Sequence, residues 1–318
     1  MQSLTNKPAN ALRTRRELAR IRSKKDWKQN WSVYLLFLPA FVLFGIFNYA
    51  PMFGIIMAFE NFKPTKGFFG SKWVGMKNFA ELFAGSEFLN VFRNTIVMAF
   101  MNLTIGFIFP ILLALLLSEL TSRKFRRVVQ TVSYMPYFIA TVDVCTLITN
   151  FCDTKGIVTD ILVAFGAERE NLLANPKYFW WINTFSEVWQ GMGYGSIIYV
   201  AAIANINPNL YEAAAMDGAN RWHRIWAITL PGVLPTVVTM FTLRVGLVFV
   251  TGFDKVLLLY SPTIYDTADC LSTYTYRYGI ANGNYGLSAA AGLFQSVIAT
   301  TLLLLSNKLN QTASKHLG

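Results

Sequence analysis

The stretch Glu212-Ala-Ala-Ala-Met-Asp-Gly-Ala-Asn-Arg-Trp-His-Arg-Ile-Trp-Ala-Ile-Thr-Leu-Pro231 stands between two long apolar segments. Asn209, just before it, is a good helix N-cap, and Glu212 three residues later can reach back in a capping box. A short helix is therefore predicted over 210–217. Gly218 supplies the left-handed residue that ends this helix.

The second half of the stretch predicts another short helix. Asn220 is suited to cap its first turn, and Pro231 is expected to close it after 221–229. The whole region 207–231 is thus predicted to be a helix–turn–helix loop. Judged on Gly218 alone, it would be an ordinary connector between two helices.

Composition places this loop in a membrane protein. Of the 318 residues, 54% are hydrophobic and only 14% are charged, and the mean hydropathy is +0.39. Soluble domains carry about 25% charged residues. Only helices and closed barrels satisfy the backbone in lipid, and the alternating pattern of a barrel is absent. The predicted fold is an all-α polytopic membrane protein with six transmembrane helices of about 20 residues or more. The predicted spans are 31–59, 91–118, 128–152, 178–206, 232–253 and 285–307.

Basic residues predict the orientation of these spans. Lys and Arg are concentrated in residues 1–30, in loop 119–127, in the 207–231 loop and near the C-terminus. Cytoplasmic loops carry such an excess. Both termini are therefore predicted to be cytoplasmic, with 1–30 a basic cytoplasmic tail and 31–318 the transmembrane domain.

Three local features modify the spans. Pro39 and Pro51 predict a kink in the first span or an interruption of it. The outer loop between the first two spans predicts a short surface helix at 77–84. Gly193, with glycines two residues before and after it, predicts a face where helices pack closely.

The net charge of +11 does not indicate a nucleic-acid partner. The basic residues lie at the predicted cytoplasmic edges of the membrane, where they orient the chain and meet anionic lipid. Membrane lipid is thus an expected partner, and nucleic acid is not.

The sequence shows no nucleotide-binding loop and no catalytic set. Gly70 and Gly75 have the Walker A spacing, but Met and Lys follow them rather than Lys and Ser or Thr. His223 and His316 are the two histidines, and with three scattered cysteines they make no metal site or disulfide framework. This chain is predicted to be no enzyme and to hold no cofactor or metal.

Asp143, Glu187 and Arg244 are ionisable side chains within predicted spans. Charges at that depth normally face the interior of the bundle or a wet path. Glu187 is expected to contact substrate, to pair with Arg244, or to lie at the outer headgroup level. Arg244 is expected near the cytoplasmic end of its span, with its guanidinium extended to the interface.

Polar side chains on two consecutive spans predict a substrate path. Asn183, Glu187 and Gln190 share one helical face beside several tryptophans, and Asp143 and Asn150 share a face of the preceding span. Carboxylates and amides beside aromatic rings suit a sugar, which offers hydroxyls and a flat apolar face. These five side chains are predicted to line one cavity.

The 212–231 stretch resembles the E-A-A…G…I-x-L-P loop by which membrane subunits of bacterial ATP-binding-cassette importers dock on their ATPase. The resemblance implies a type I importer permease fold with this loop as the coupling loop. The residues expected to couple to the ATPase are Glu212, Ala213, Ala214, Asp217, Gly218, Ala219, Arg221, Arg224, Ile228, Leu230 and Pro231.

Other stretches of the sequence indicate which branch of these permeases the chain resembles. Trp189, Gly193 and residues 205–208 are similar to the carbohydrate branch of these permeases, and 282–296 to its polysaccharide-type subgroup. The partners implied are a homologous second permease, an ATPase dimer that carries ATP and Mg, an extracytoplasmic solute-binding protein and a carbohydrate substrate. The location implied is the bacterial cytoplasmic membrane.

The function expected is therefore the permease subunit of an ATP-driven importer for oligosaccharides or polysaccharide fragments. The main alternative is an ion-coupled secondary transporter that uses Asp143 and Glu187, although the inverted repeats usual in such folds are not found. A membrane-embedded enzyme is disfavoured because no catalytic set is present.

Overall fold

The computed structural model describes residues 29–249 and 252–317, without the side chains of 309 and 311–317. Almost all of the predicted basic tail 1–30 lies outside the described residues. The chain divides into two units, residues 1–55 and 56–318.

The described residues are mostly helical, with one two-stranded hairpin in which β1 (Glu60–Asn61) pairs antiparallel with β2 (Lys72–Trp73). The α-helices, in chain order, are α1 Trp31–Phe44, α2 Gly67–Gly70, α3 Lys77–Ala84, α4 Phe88–Ser118, α5 Arg123–Tyr134, α6 Thr141–Cys152, α7 Ile157–Ala164, α8 Pro176–Ala204, α9 Pro208–Met216, α10 Arg221–Arg224, α11 Leu230–Leu247, α12 Phe253–Leu259, α13 Tyr265–Ala268, α14 Leu271–Tyr276 and α15 Tyr285–Leu317.

The first predicted span changes helix type along its length but is not broken, because Trp31–Phe59 is one helical stretch. The α-helix ends at Phe44 and continues as a π turn over Gly45–Tyr49 and a 3₁₀ helix over Ala50–Phe59. Pro51, which lacks an N–H group, lies at the start of the 3₁₀ segment. Pro39, by contrast, stays inside α1. The predicted surface helix at 77–84 is confirmed, as α3.

Four described helical stretches are long and apolar enough to cross a membrane: Trp31–Phe59, Phe88–Ser118, Arg221–Leu247 and Tyr285–Lys308. A fifth is counted if Arg123–Phe138 and Thr141–Ala164, which meet at 99°, form one broken span.

The third predicted span, 128–152, is not one continuous helix in the structure. Pro136 lies in a 3₁₀ turn, and Ile139 and Ala140 take extended ψ angles of 135° and 141°, so the chain turns before α6 begins. The predicted fourth span corresponds to α8, whose 29 residues include Asn183, Glu187 and Gln190. Because of these polar residues, α8 is less apolar than the four stretches named above.

The core of the second unit forms where α4 packs along α8. Gly193 explains the close approach of α5 to α8, because a Cβ atom there would clash with the backbone carbonyl of Ser133. The packing role predicted for this glycine is thus confirmed. Pro110 of α4 similarly lies within 3.3 Å of where a Cβ atom of Gly195 would be.

A second layer caps the starts of α4 and α8. Its helices α12 to α14 lie almost entirely within 254–284, the segment between the fifth and sixth predicted spans, which the predicted orientation makes an outer loop. The Trp180 indole of α8 donates to the Thr267 carbonyl at 2.7 Å, and Asn94 of α4 donates to the carbonyl oxygens of Asp266 and Asp269 at 3.0 Å each. The 207–231 loop follows the other end of α8. The cap and that loop therefore lie at opposite ends of this long helix.

Candidate functional site

The 207–231 loop begins with a helix whose cap differs from the prediction. Asn207 is the N-cap of α9, and its side chain accepts a hydrogen bond from the Asn209 amide at 3.0 Å. Pro208 takes the first helical position, where a missing N–H costs nothing. The capping box expected between Asn209 and Glu212 is therefore wrong, and the Glu212 side chain is exposed.

Gly218 ends α9 as predicted, with φ at +77°. Its amide donates to the Ala215 carbonyl at 3.1 Å, and the Ala219 amide donates to the Ala214 carbonyl at 2.8 Å. No heavy atom lies within 4 Å of where a Cβ atom would be. The requirement for glycine here is therefore one of backbone conformation and not of space.

The second half of the loop is continuous with a predicted span. Asn220 caps α10 as predicted, by accepting from the His223 amide at 2.8 Å. Pro231 does not close the helix, because a π turn over Ile225–Thr229 carries it from α10 into α11. Such wider turns accommodate local disruption of the helical hydrogen bonds. The result is a single 27-residue helical stretch, Arg221–Leu247.

One hydrogen bond joins the two halves of the loop. The Tyr211 hydroxyl of α9 lies 3.0 Å from the hydroxyl of Thr229, which is 2% exposed. Glu212 and Arg221 are exposed, and so are four apolar side chains of the loop: Leu210, Met216, Trp222 and Trp226. Several large exposed apolar side chains in one loop are typical of a surface that contacts a protein or the membrane. Sequence reasoning did not include these four side chains, although large apolar residues in a polar loop were a signal.

Five of the other predicted coupling residues are less accessible. Ala214, Ala219 and Arg224 are half-buried, whereas Ala213 and Asp217 are exposed. Ile228 and Leu230 are also half-buried, and Pro231 is exposed within the continuous helix. The residues available at the surface are thus mainly those of α9 and its glycine turn.

Glu187 forms an ion pair with Lys255 and not with Arg244, the partner named in one of its three predicted roles. Its Oε1 atom lies 3.2 Å from Nζ of Lys255 on α12, whose side chain is 4% exposed. Arg244 instead donates from Nε and Nη2 to Oδ1 of Asn102, at 3.1 and 2.5 Å. Its guanidinium therefore lies between helices α11 and α4 and does not extend to an interface. Lys255 was missed because it lies in a segment predicted as an outer loop.

Glu187 lines three cavities. The first, of about 440 Å³, is also lined by Gln190, Asp254 and Lys255. The second, of about 700 Å³, contains Arg244 with tyrosines of α8. The third is about 30 Å³, room for about one water molecule. Glu187 is thus the polar group that these spaces share.

The other predicted path residues divide into two groups. Gln190 donates to the Ile139 carbonyl at 3.2 Å, and Asn183, which is 6% exposed, lines the smallest cavity. Asp143 and Asn150 are exposed on α6 and do not line the Glu187 cavities. The bend before α6 turns this helix away from the direction that a straight span would have. One cavity lined by all five side chains is therefore wrong.

The cavity walls include a stacked aromatic pair. The rings of Tyr137 and Tyr194 lie 4.0 Å apart at an interplanar angle of 6°. Tyr137 lines the 440 Å³ cavity and Tyr194 the 700 Å³ cavity. Among residues 29–249 and 252–317, no group of three or more His, Cys, Asp or Glu side chains could hold a metal ion. The site thus offers hydrogen-bonding groups and aromatic rings.

Comparison with known proteins gives consistent matches over most of the chain. Residues 106–315 match the sequence profile of a family described as binding-protein-dependent transport system inner membrane component. The chain is also similar to the polygalacturonan/rhamnogalacturonan transport system permease protein YteP of Bacillus subtilis (strain 168). The two are 38% identical over 278 residues, which cover 87% of each chain.

Two solved structures share the fold. One is of a bacterial ABC transporter involved in the import of the acidic polysaccharide alginate; the TM-score is 0.84 and the identity 39%, over 92% of this chain and 99% of that chain. The other is of a bacterial alginate ABC transporter in complex with an alginate pentasaccharide-bound periplasmic protein. Its TM-score is 0.83 and its identity 39%, over 92% of this chain and 98% of that chain.

Proposed function

Since the chain belongs to the inner-membrane-component family of binding-protein-dependent transport systems, we propose that it moves oligosaccharides or polysaccharide fragments by alternating access, coupled to a separate ATPase. It is a sugar or polysaccharide ABC-importer permease and not an enzyme. It is a multi-pass protein of the bacterial plasma membrane.

The arrangement proposed has six spans, with α8 and the broken pair of α5 and α6 added to the four apolar stretches. Both termini and the coupling loop 207–231 lie in the cytoplasm. Two observations support this arrangement: the concentration of Lys and Arg in those segments, and the position of the cap at the opposite end of α8.

The main support for coupling to an ATPase is that the coupling loop is continuous with a span. Helix α9 is exposed, ends at Gly218, and is tied by Tyr211 to Thr229 in the Arg221–Leu247 stretch. Displacement of α9 by an ATPase would therefore move this stretch with it. ATP binding closes the ATPase dimer, the two permeases open outward, and hydrolysis resets them.

The partners proposed follow from the same geometry. One permease offers one coupling loop, and an ATPase dimer presents two surfaces, so a homologous second permease supplies the other loop. ATP and Mg are bound by the ATPase. An extracytoplasmic binding protein delivers the sugar, in line with the solved complex that contains a periplasmic protein with alginate pentasaccharide.

The Glu187 cavities are proposed as part of the sugar path. Glu187, Gln190 and Asp254 offer oxygen acceptors, Gln190 and Lys255 offer donors, and Tyr137 offers a ring face. The relatives named for polygalacturonan, rhamnogalacturonan and alginate point to acidic oligosaccharides as the first substrates to try.

The test is reconstitution of the complete complex in liposomes. The chain is co-expressed with the permease, ATPase and binding-protein genes next to its own, and uptake is measured for oligosaccharides from polygalacturonan, rhamnogalacturonan and alginate, with neutral malto-oligosaccharides for comparison. We expect uptake that requires ATP and the second permease, is blocked by vanadate and resists ionophores.

Two results would contradict the proposal. Uptake abolished by an ionophore and indifferent to vanadate would indicate ion coupling. Transport by a homodimer of this chain with only the ATPase and binding protein would contradict the second permease.

A further inference from the structure

A polar cavity of about 270 Å³ lies in the outer segments, away from the Glu187 cavities. It is formed between the β-hairpin with α3 on one side and the turn before α15 on the other. Four asparagines line it: Asn61, Asn78, Asn282 and Asn284. We call it the asparagine pocket.

Asn78 gives the pocket a fixed acceptor. Its Nδ2 group donates to the carbonyl oxygens of Ala58 and Glu60, at 2.9 Å each, and the residue is 7% exposed. Because both partners are carbonyls, the amide nitrogen must face them, and Oδ1 faces the other way. Among the described residues nothing donates to this Oδ1. This Oδ1 is accessible to solvent, so a hydroxyl of a ligand in the pocket can reach it and donate a hydrogen bond.

The opposite wall supplies donors. Oδ1 of Asn284 accepts from the Leu287 amide at 3.2 Å and so caps α15, which leaves its NH₂ group available. The side chains of Asn61 and Asn282 make no hydrogen bond within the described part of the chain, and both are exposed. The pocket therefore presents donors and acceptors in similar number.

Two charged side chains of α3 complete the lining. Lys77 and Glu81 are both exposed, and they stand one helical turn apart. A single carboxylate beside an ammonium group does not suit a divalent cation, which prefers several oxygen ligands of negative charge. A mainly polar lining does not suit an apolar helix either. Hydroxyl-rich ligands fit, because each hydroxyl both donates and accepts.

One apolar ring completes the match to a sugar. Phe62 lines the pocket and is held by Tyr285, whose ring lies 5.9 Å away at 84°. We propose that the asparagine pocket binds one unit of the carbohydrate outside the membrane path, by hydrogen bonds to the asparagine amides and contact with Phe62. This inference rests on the proposed function, since it assumes that a carbohydrate reaches the chain.

Protection from thiol labelling tests the site directly. The three native cysteines are buried, so Asn282→Cys on the pocket wall gives a single accessible thiol in the described part of the chain. Lys72→Cys is the matched control, because Lys72 is exposed on the neighbouring strand and does not line the pocket. Both variants are placed in the reconstituted complex and labelled with a water-soluble maleimide, with and without the oligosaccharides of the uptake panel.

At sugar concentrations about two to nine times the half-saturating value, we expect imported oligosaccharides to slow labelling of Asn282→Cys about three- to tenfold and to leave Lys72→Cys unchanged. Equal labelling with and without sugar, in a complex that imports that sugar, would overturn the inference and leave the proposed function intact. A complex that imports no oligosaccharide would instead contradict the proposed function. Protection by sugar-free binding protein alone would also overturn the inference, because it would identify a protein contact.

Removal of the polar groups gives a second measurement. The double variant Asn61→Ala/Asn282→Ala should raise the half-saturating sugar concentration for uptake about three- to tenfold, the equivalent of one or two lost hydrogen bonds. Lys72→Ala is the control and should leave it unchanged. A double variant with the parental half-saturating concentration would contradict sugar binding in the asparagine pocket.

Discussion

The two ends of α8 are built in different ways. The coupling loop at one end has exposed side chains and one side-chain hydrogen bond between its halves, from Tyr211 to Thr229. The cap at the other end is held by Arg277, which contacts carboxylates of Asp269 at 2.5 Å and Glu87 at 2.6 Å. Loosely held regions of a protein move most easily. The difference indicates that the cap end of α8 is held more firmly than the loop end.

The largest expected effect is at the turn of the coupling loop. Gly218→Val should uncouple transport, lowering ATP-driven uptake at least about tenfold, because a β-branched residue resists the positive φ that sets the angle between α9 and α10. Uptake in liposomes is the measurement, with membrane yield of the complex measured in parallel.

Gly166→Val is the matched control for Gly218→Val. Gly166 also has a positive φ, +93°, and also has no atom within 4 Å of a Cβ position, but it lies outside the coupling loop. The two changes introduce similar backbone strain. Equal uptake by the Gly218→Val variant and the parent, or an equal loss in both variants, would remove the special role of the loop.

The next effect concerns the stability of the cap. The Asp269 side chain is 1% exposed, and burial raises the pKa of its carboxyl, which hydrogen bonds from Thr273 and Arg277 oppose. Arg277→Met should therefore destabilise the protein by about 3–5 kcal/mol, since it leaves a buried acid without its partner. Thermal unfolding of the purified complex measures the loss.

An exposed ion pair supplies the comparison for Arg277. Arg169 and Asp160 lie 2.7 Å apart but are 50% and 54% exposed. Arg169→Met should cost about 0–1 kcal/mol. If both variants unfold at the parental temperature, the cap end of α8 is not the more firmly held one.

An intermediate effect is expected at Glu187. Glu187→Ala should weaken sugar uptake about five- to hundredfold, the equivalent of about 1–3 kcal/mol for a lost hydrogen-bonding partner, and should preserve sugar-independent ATP hydrolysis. Asp143→Ala is the control, because Asp143 is exposed and lines none of the Glu187 cavities. It should leave uptake unchanged.

Changes at the charged neighbours of Glu187 show whether it contacts sugar or has a structural role. If Glu187 serves mainly to neutralise the buried Lys255, then Glu187→Ala should lower the yield of the complex, and the additional change Lys255→Met should restore it. Arg244→Met should not reproduce that loss, because Arg244 is bonded to Asn102. Normal assembly with parental uptake in Glu187→Ala would reject both roles.

The coupling loop and the Glu187 site differ in how far the sequence predicts them. The turn at Gly218 and the cap at Asn220 depend on neighbours within a few residues, so local chemistry was enough. The partner of Glu187 is 68 positions away, on a helix in a segment predicted as a loop. No spacing rule connects residues so far apart.

The bend in the third predicted span could not be predicted for a related reason. The apolar composition of 128–152 indicates burial in lipid, but it does not indicate the direction in which the helix runs. Pro136 was the one local signal of the turn, and prolines occur inside α1 and α4 without such a turn. The position of α6, and with it the exposure of Asp143 and Asn150, therefore depends on packing that composition does not encode.

The smallest expected effect is at the single bond that joins the halves of the coupling loop. Tyr211→Phe removes one hydroxyl and keeps the ring, so α9 should remain folded. The interaction between α9 and Thr229 should weaken by about 0.5–1.5 kcal/mol. The amount of sugar imported per ATP hydrolysed should fall about two- to tenfold, because part of the motion of α9 no longer reaches Arg221–Leu247. Tyr276→Phe is the control, since the structure gives that hydroxyl no hydrogen-bond partner among the described residues. A Tyr211→Phe complex with the parental ratio would mean that the helical connection through Gly218 alone transmits the displacement.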